Sequence, residues 1–77
     1  GRGGRMENNT FSRWLLENMK ARGVSVQQLA DELDVSVATV YRWRTGSRMP
    51  IPESCELLAK YFAAPYEDLL RLTGWDK

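Results

Sequence analysis

The segment 36–50 carries three arginines, Arg42, Arg44 and Arg48, and no acidic residue. An arginine guanidinium can donate two parallel hydrogen bonds, a geometry that suits a phosphate and also the O6 and N7 atoms of guanine. Acidic residues lie on either side of this segment, within 31–34 and within 53–68. Local charge therefore matters more than the total here, and it favours a phosphate-bearing partner.

The charge of the whole chain does not by itself indicate a nucleic-acid binder. Eleven basic and ten acidic residues give a formal net charge of +1. The opening GRGGR precedes Met6 and has no apolar segment behind it, so we expect Met6 to be the native start and 1–5 to be an added remnant. Without Arg2 and Arg5 the balance is nine basic to ten acidic residues. We expect 6–77 to form a single domain.

The residue types that are missing or rare exclude several kinds of site. The chain has no histidine and one cysteine, so a structural zinc site has no ligand set and the usual nucleophile and base pairs are absent. We therefore expect no enzyme activity, metal or cofactor, and we infer no small-molecule ligand. Cys55 is expected to be a small buried apolar residue, which fits a reducing cytoplasm. No apolar run approaches the roughly 20 residues that cross a membrane, and no secretory signal is evident, so we expect no membrane partner and a cytoplasmic protein.

Two short helical patterns joined by a tight turn must position the arginines. Ser25 and Gln28 form an S-x-x-Q capping box, which predicts the start of the first of these helices. The turn falls at Asp34, because aspartate tolerates the left-handed backbone conformation better than most residues other than glycine. Ser36 is then the predicted N-cap of a second helix over about 37–44.

The phase of this second helix separates an inward face from an outward face. Val40 and Trp43 share the inward face, so we predict that Trp43 is a core residue and not a stacking platform for bases. Four side chains are left free to face a partner: Val37, Ala38, Thr39 and Arg42. The arrangement has the form of a helix-turn-helix, in which the first helix supports the second and the second contacts base edges.

Three further helices are expected around this pair, which makes the predicted fold all-α. Helix 1 should begin after Asn9 or Thr10 and end at Gly23, helix 4 should begin near Pro52, and helix 5 should open at Pro65. Apolar residues at helical spacing identify the predicted core of these helices: Phe11, Leu15, Met19, Cys55, Leu58, Ala59, Phe62, Leu69 and one of Leu70 or Leu72.

Over about 11–70 the chain resembles the lambda-repressor-like, or Xre-type, helix-turn-helix family. The resemblance lies in QQLADELDVSVATVYRWRTGSRMP, followed by a helix ending AKYF and a final EDLL. Ala30 matches the small residue that the family has where the two helices of the pair, helix 2 and helix 3, cross. Val40 and Trp43 match the family's two inward anchors. Gly46 and Pro50 match its G-x-x-x-P loop. The resemblance implies a compact five-helix lambda-repressor-like DNA-binding domain in which helices 2 and 3 form the helix-turn-helix.

The resemblance also implies which residues touch double-stranded DNA. The family's base-contacting positions, on the helix that enters the major groove, fall on Val37, Ala38, Thr39 and Arg42. Its phosphate-contacting positions fall on Gln28, Ser36, Gly46, Ser47 and Arg48. Arg44 stands where the family commonly has an acidic residue, and we expect it to face the DNA backbone instead. The implied function is a sequence-specific regulator of transcription, with a homodimer on a palindromic site as one arrangement.

Two further departures from the family pattern bear on stability and specificity. Asp34 stands where the family usually has glycine, which affects the local stability of the turn. Val37 and Ala38 are less polar than usual; they can touch a thymine methyl group but cannot donate a hydrogen bond. Sequence choice is therefore expected to depend chiefly on Arg42.

A function of another class stays open at this point. The same helices could form a protein-interaction module, such as an adaptor or an antitoxin-like partner, with a contact face made of Leu57, Tyr61, Tyr66 and Trp75. Trp75 follows Gly74 and is either an exposed anchor for a partner or a residue folded back over helix 1 or helix 5. Trp14 flanks the apolar stripe of helix 1 and suits either core or surface. Salt-sensitive DNA binding would favour the regulator.

Overall fold

The structure, a computed structural model, describes residues 10–76. Within this range the chain forms five α-helices and no β-strand, so the all-α prediction is confirmed. In chain order the helices are α1 (Thr10–Arg22), α2 (Val26–Leu33), α3 (Val37–Thr45), α4 (Pro52–Phe62) and α5 (Tyr66–Thr73). The expectations about 1–5, about Met6 as the native start and about Asn9 as a helix cap lie outside the described residues.

The helix-turn-helix is bounded by the side-chain caps that the sequence predicts. At the start of α2 the Ser25 hydroxyl accepts a hydrogen bond from the Gln28 amide at 3.1 Å, and the Gln28 Oε1 atom accepts one from the Ser25 amide at 2.9 Å. At the start of α3 the Ser36 hydroxyl accepts from the Thr39 amide at 3.1 Å. Each cap satisfies a backbone donor that has no partner inside its helix. The capping box and the Ser36 cap are confirmed.

All five helices end on a residue in the left-handed conformation, and two of these residues are not glycine. Asp34 has φ 59°, which confirms the prediction for the turn between α2 and α3. Ala63, at the end of α4, has φ 55° and was not anticipated. Its amide and that of Ala64 donate to the carbonyls of Lys60 and Ala59, so backbone hydrogen bonds hold a conformation that a Cβ atom disfavours.

Helix α5 begins one residue later than predicted. Pro65 is its N-cap, with φ −66° and ψ 133°, and the helix starts at Tyr66. The extended ψ angle of Pro65 places it just outside the helix, whereas Pro52 does occupy the first helical position of α4 as predicted.

The core draws on every helix and contains all the predicted residues from Phe11 to Leu69. The largest fully buried side chains are Trp43, Phe11, Leu15, Leu29, Leu58, Leu69, Val40, Pro50 and Cys55. Leu70 and Leu72 are both half-buried and pack against this core. Trp14 is also half-buried: its ring stacks on Phe11 at 5.9 Å and meets Phe62 edge-on at 5.5 Å. Trp14 therefore belongs to the margin of the core.

Helix α3 packs on α1 and α2, while α4 packs on α5 and α2. Two inward residues of α3, Val40 and Trp43, are buried at 0% and 2% exposure, as predicted. Their burial leaves the opposite side of α3 at the molecular surface. No helix in the described part of the chain has the length and apolarity to cross a membrane.

Candidate nucleic-acid interface

The exposed side of α3 presents a compact group of short and long side chains. Ala38, Tyr41 and Arg42 are exposed on this side, and their spacing of three and four residues puts them on one helical face. Thr39 is half-buried beside them. Val37 is half-buried and packs against the core, so the expectation that it is free to face a partner holds for only part of its side chain.

Tyr41 is a candidate that reasoning from the family positions missed. It is 52% exposed between Ala38 and Arg42, and the guanidinium of Arg44 lies 5.9 Å from its ring centroid. An exposed phenol can donate to a phosphate or stack against a sugar or a base. Helical spacing alone could have identified Tyr41, because it follows Ala38 by three residues on the face opposite Val40 and Trp43.

The Arg42 side chain is unpaired in the part of the chain that the structure describes. The single ion pair found there joins Arg71 to Asp68 on α5. Arg42 is exposed, so its planar fork of donors is available to an incoming ligand. A guanidinium of this kind, one helical turn beyond Ala38, can reach the edge of a base pair when the helix lies in the major groove.

The main chain of Arg42 organises the loop that follows α3. Its carbonyl accepts hydrogen bonds from the amides of Gly46 at 3.0 Å, Ser47 at 3.1 Å and Arg48 at 3.3 Å. These three amides are thus already used inside the protein. Gly46 has no side chain, and its backbone amide is already hydrogen-bonded. Its predicted phosphate contact stays a prediction. In the structure Gly46 forms the turn after α3, with φ 84°.

The loop's available donors are therefore on side chains. Ser47 and Arg48 are both exposed, and Arg48 carries no side-chain hydrogen bond or ion pair within the described range. The Ser47 hydroxyl lies 3.2 Å from the Thr45 hydroxyl and 3.5 Å from the Arg42 carbonyl. Both side chains can reach a phosphate without breaking the backbone hydrogen bonds of the turn.

The other end of α3 is also suited to an anion. The Ser36 hydroxyl caps the Thr39 amide and lies 2.8 Å from the Thr39 hydroxyl. The amides of Val37 and Ala38 are the first two of the helix and have no acceptor within it, so they point out at the positive end of the helix dipole. A phosphate placed here would be stabilised by both the amides and the dipole.

Gln28 keeps a free amide group although its carbonyl is used. Its Oε1 atom accepts from Ser25 in the capping box, which orients the side-chain amide and leaves the two donors of Nε2 without a partner among the described residues. The side chain is exposed. The cap at the start of α2 can therefore fix α2 and hold a donor toward the DNA backbone at the same time.

Arg44 differs from the other two arginines of the segment. It is half-buried, and its Nε–H is buried without a hydrogen-bond partner among the described residues. Its charge is partly accommodated by the face of the Tyr41 ring. Arg44 has no carboxylate partner in the described part of the chain, which is compatible with the predicted contact to the DNA backbone.

Ser12 is a positioning residue that the sequence reading missed. Its buried hydroxyl donates to the carbonyl of Trp43 at 3.0 Å and so ties α1 to the last turn of α3. A hydrogen bond of this kind contributes on the order of 1 kcal/mol and fixes the register of the two helices. Ser12 lies between Phe11 and Leu15 on the buried stripe of α1, and that position is the signal that could have revealed it.

Cys55 fits the structural role predicted for it. Its side chain is fully buried, and burial raises the pKa of the Cys55 thiol, although the contact with the Thr73 hydroxyl at 3.7 Å acts in the opposite direction. A thiol with a raised pKa is a poor nucleophile and a poor metal ligand at neutral pH. In the part of the chain described, no three histidine, cysteine or acidic residues group closely enough to hold a metal ion.

Trp75 folds back to a contact that neither of the two alternatives for it had named. It is 49% exposed, and its indole Nε1 atom donates to the Pro50 carbonyl, in the loop before α4, at 2.7 Å. The other residues of the proposed interaction face differ in exposure. Leu57 and Tyr66 are exposed, whereas Tyr61 is half-buried against Phe62.

Comparison with known families agrees with this geometry. A family model described as helix-turn-helix matches residues 15–69, more than half of the chain. The chain belongs to the lambda-repressor-like, Xre-type helix-turn-helix family, and it is a DNA-binding domain of the regulator class. Families of this kind are typically not enzymes. Searches of the curated proteins and of the solved structures find no match.

Proposed function

We propose that this protein is a sequence-specific regulator of transcription that inserts α3 into the major groove of double-stranded DNA. The observation that carries the proposal is the guanidinium of Arg42, which is exposed on the side of α3 opposite Val40 and Trp43 and has no partner within 10–76. The major groove of B-form DNA is about 12 Å wide and admits one helix. A helix placed there presents Arg42 to base edges.

Base recognition in this proposal is divided unequally. Arg42 reads guanine through its fork of donors, the commonest specific contact in the major groove. Ala38 and the exposed part of Val37 offer only apolar contact, which suits a thymine methyl group. The Thr39 hydroxyl lies beside the Ser36 hydroxyl and can contact either a base or a phosphate.

Phosphate contacts surround this base-reading face. On one side lie the Nε2 group of Gln28, the Ser36 hydroxyl and the first amides of α3. On the other lie Ser47, Arg48 and the terminal nitrogens of Arg44, while Gly46 turns the chain between them. Contacts of this kind set the register of α3 in the groove but carry no sequence information by themselves.

A protein-interaction module is the second candidate, and the exposed apolar side chains of Leu57, Tyr66 and Trp75 are the observation that favours it. The regulator is preferred because the basic segment 36–50 is acid-free and its arginines are not neutralised by the described carboxylates. For this regulator we propose a cytoplasmic location and, as one arrangement, a homodimer on a palindromic site.

Selection of the purified protein against random double-stranded oligonucleotides tests this function. We expect one enriched motif that contains a guanine on which binding depends, and binding that weakens steeply as salt rises. A palindrome with half-site centres about 10 base pairs apart would establish the two-fold dimer. A Lys60→Ala variant, which loses a charge on α4, serves as the control and should recover the same motif. Failure to enrich any motif, together with binding that ignores salt, would refute the regulator and favour the interaction module.

A further inference from the structure

The loop 46–50, which carries Ser47 and Arg48, is held at both of its ends. At its beginning three successive amides converge on the Arg42 carbonyl. At its end Pro50 is fully buried, and its carbonyl accepts the indole hydrogen bond of Trp75 at 2.7 Å. Arg48 belongs to the first attachment through its own amide, and only Met49 separates it from Pro50 at the second. Its side chain therefore depends on both of them for its position.

The attachment at Pro50 has one strong donor. The second donor to this carbonyl is the Cys55 thiol, whose sulfur lies 3.8 Å away and which is a weak hydrogen-bond donor. The indole N–H of Trp75 is far better in distance and in donor strength. Removing it would leave the Pro50 carbonyl with the thiol as its side-chain partner.

Trp75 is delivered to this carbonyl by the end of α5. Gly74 adopts φ 87°, and the Trp75 amide donates to the Leu70 carbonyl at 2.9 Å, so the chain turns sharply after the helix. The Thr73 hydroxyl donates to the Leu69 carbonyl at 2.9 Å. The backbone that carries the indole is thus ordered by α5, 25 residues along the chain from the carbonyl it holds.

From these contacts we infer that Trp75 is a positioning residue for DNA binding. Its hydrogen bond to Pro50 holds the loop 46–50 in the geometry that lets Arg48 meet a phosphate. Trp75 touches no DNA in this role and acts through Arg48. The inference rests on the proposed function, because it assigns the C-terminal segment a part in the same interface.

The size of the effect follows from the strength of one hydrogen bond. Loss of such a bond lowers the equilibrium ratio of molecules whose loop 46–50 is fixed to molecules whose loop is free by about two- to tenfold. Apparent affinity falls in proportion to the fraction of protein in the binding-competent state. A Trp75→Phe variant, which keeps an aromatic ring and loses the donor, is therefore expected to bind its selected DNA site more weakly, by at most about tenfold.

The matched control is Trp14→Phe, the same substitution at a half-buried tryptophan for which no hydrogen bond from the indole is found in the described structure. It tests whether a general loss of stability is enough to weaken binding. A readout without DNA is amide hydrogen exchange by NMR. We expect Trp75→Phe to speed exchange at the hydrogen-bonded amides of Ser47 and Arg48 relative to Leu29 in α2, and Trp14→Phe not to change that ratio.

A double-mutant cycle separates positioning from a merely structural role. If Trp75 acts through Arg48, adding Trp75→Phe to an Arg48→Ala variant should change affinity by less than about twofold, since the contact it positions is already gone. The same loss in both backgrounds, unchanged affinity of Trp75→Phe, or an equal loss in Trp14→Phe would each overturn the inference. Wild-type protein that enriches no DNA motif would overturn the proposed function together with the inference. Wild-type binding with an unaffected Trp75→Phe variant would overturn the inference alone.

Discussion

Replacing Arg42 by alanine should remove most of the sequence discrimination of this protein without changing its fold. The side chain is exposed and has no ion pair among the described residues, so its removal leaves no buried charge behind. The carbonyl of residue 42, which anchors three amides of the following loop, is retained. Arginine and alanine are both good helix formers, so we expect the free energy of unfolding to change by only a few tenths of a kcal/mol.

The cost in binding should be much larger than the cost in stability. A bidentate contact between arginine and guanine is worth about 1–3 kcal/mol of discrimination, or roughly 5- to 150-fold in affinity. Val37 and Ala38 cannot donate a hydrogen bond from their side chains, and the single hydroxyls of Thr39 and Tyr41 cannot form a two-donor fork, so no neighbouring side chain on α3 can replace that contact. The loss should fall on the preferred site and relax preference at a single base-pair position.

The assay is a binding titration of each variant against the selected site and against every substitution of its guanine-dependent position. Arg42→Lys is an informative second variant, because it keeps the charge and loses the fork. It should retain affinity for unrelated DNA and lose discrimination. Lys60→Ala on α4 removes one charge elsewhere and should leave the preference intact. Equal weakening of Arg42→Ala on every sequence would reduce Arg42 to a phosphate contact and leave specificity to Thr39, to methyl contacts or to DNA shape.

Four other changes, with Ala64→Gly as a control, test the interface and the fold. Arg48→Ala should weaken binding to cognate and unrelated DNA alike and reduce the salt slope by about one unit, so a changed sequence preference would contradict its role as a phosphate contact. Trp43→Ala should cost about 3–5 kcal/mol, a large part of the stability of a small domain, and a near-normal thermal melt by circular dichroism would contradict its burial. Ala63→Gly should gain about 0.5–1 kcal/mol, because relief of the left-handed strain exceeds the added entropy of the unfolded chain. Asp34→Gly should leave stability equal or slightly raised. Ala64→Gly, at an ordinary φ, is the comparison for Ala63→Gly and should lose stability. A melting temperature that falls in Ala63→Gly would refute the reasoning about left-handed strain.

Local chemistry made much of the fold predictable. The capping box of Ser25 and Gln28, the cap at Ser36 and the left-handed turn at Asp34 each depend on residues within three positions of one another. The same is true of the inward phase of Val40 and Trp43, which follows from the helical repeat. Ala63 escaped prediction because an alanine gives no local sign of a left-handed conformation. Backbone hydrogen bonds at the end of α4 impose the left-handed conformation on Ala63.

The sequence by itself determined five helices, the helix-turn-helix and the outward direction of Arg42, since periodicity and capping are properties of short stretches of chain. Only the tertiary structure decided which side chains meet across the fold. The hydroxyl of Ser12 reaches the Trp43 carbonyl 31 residues away, and the indole of Trp75 reaches the Pro50 carbonyl 25 residues away. Both acceptors are backbone carbonyls, which every residue type carries, so no residue type in the sequence marks them as partners. Packing of α1 on α3, and of α5 on α4, brings each donor to its acceptor.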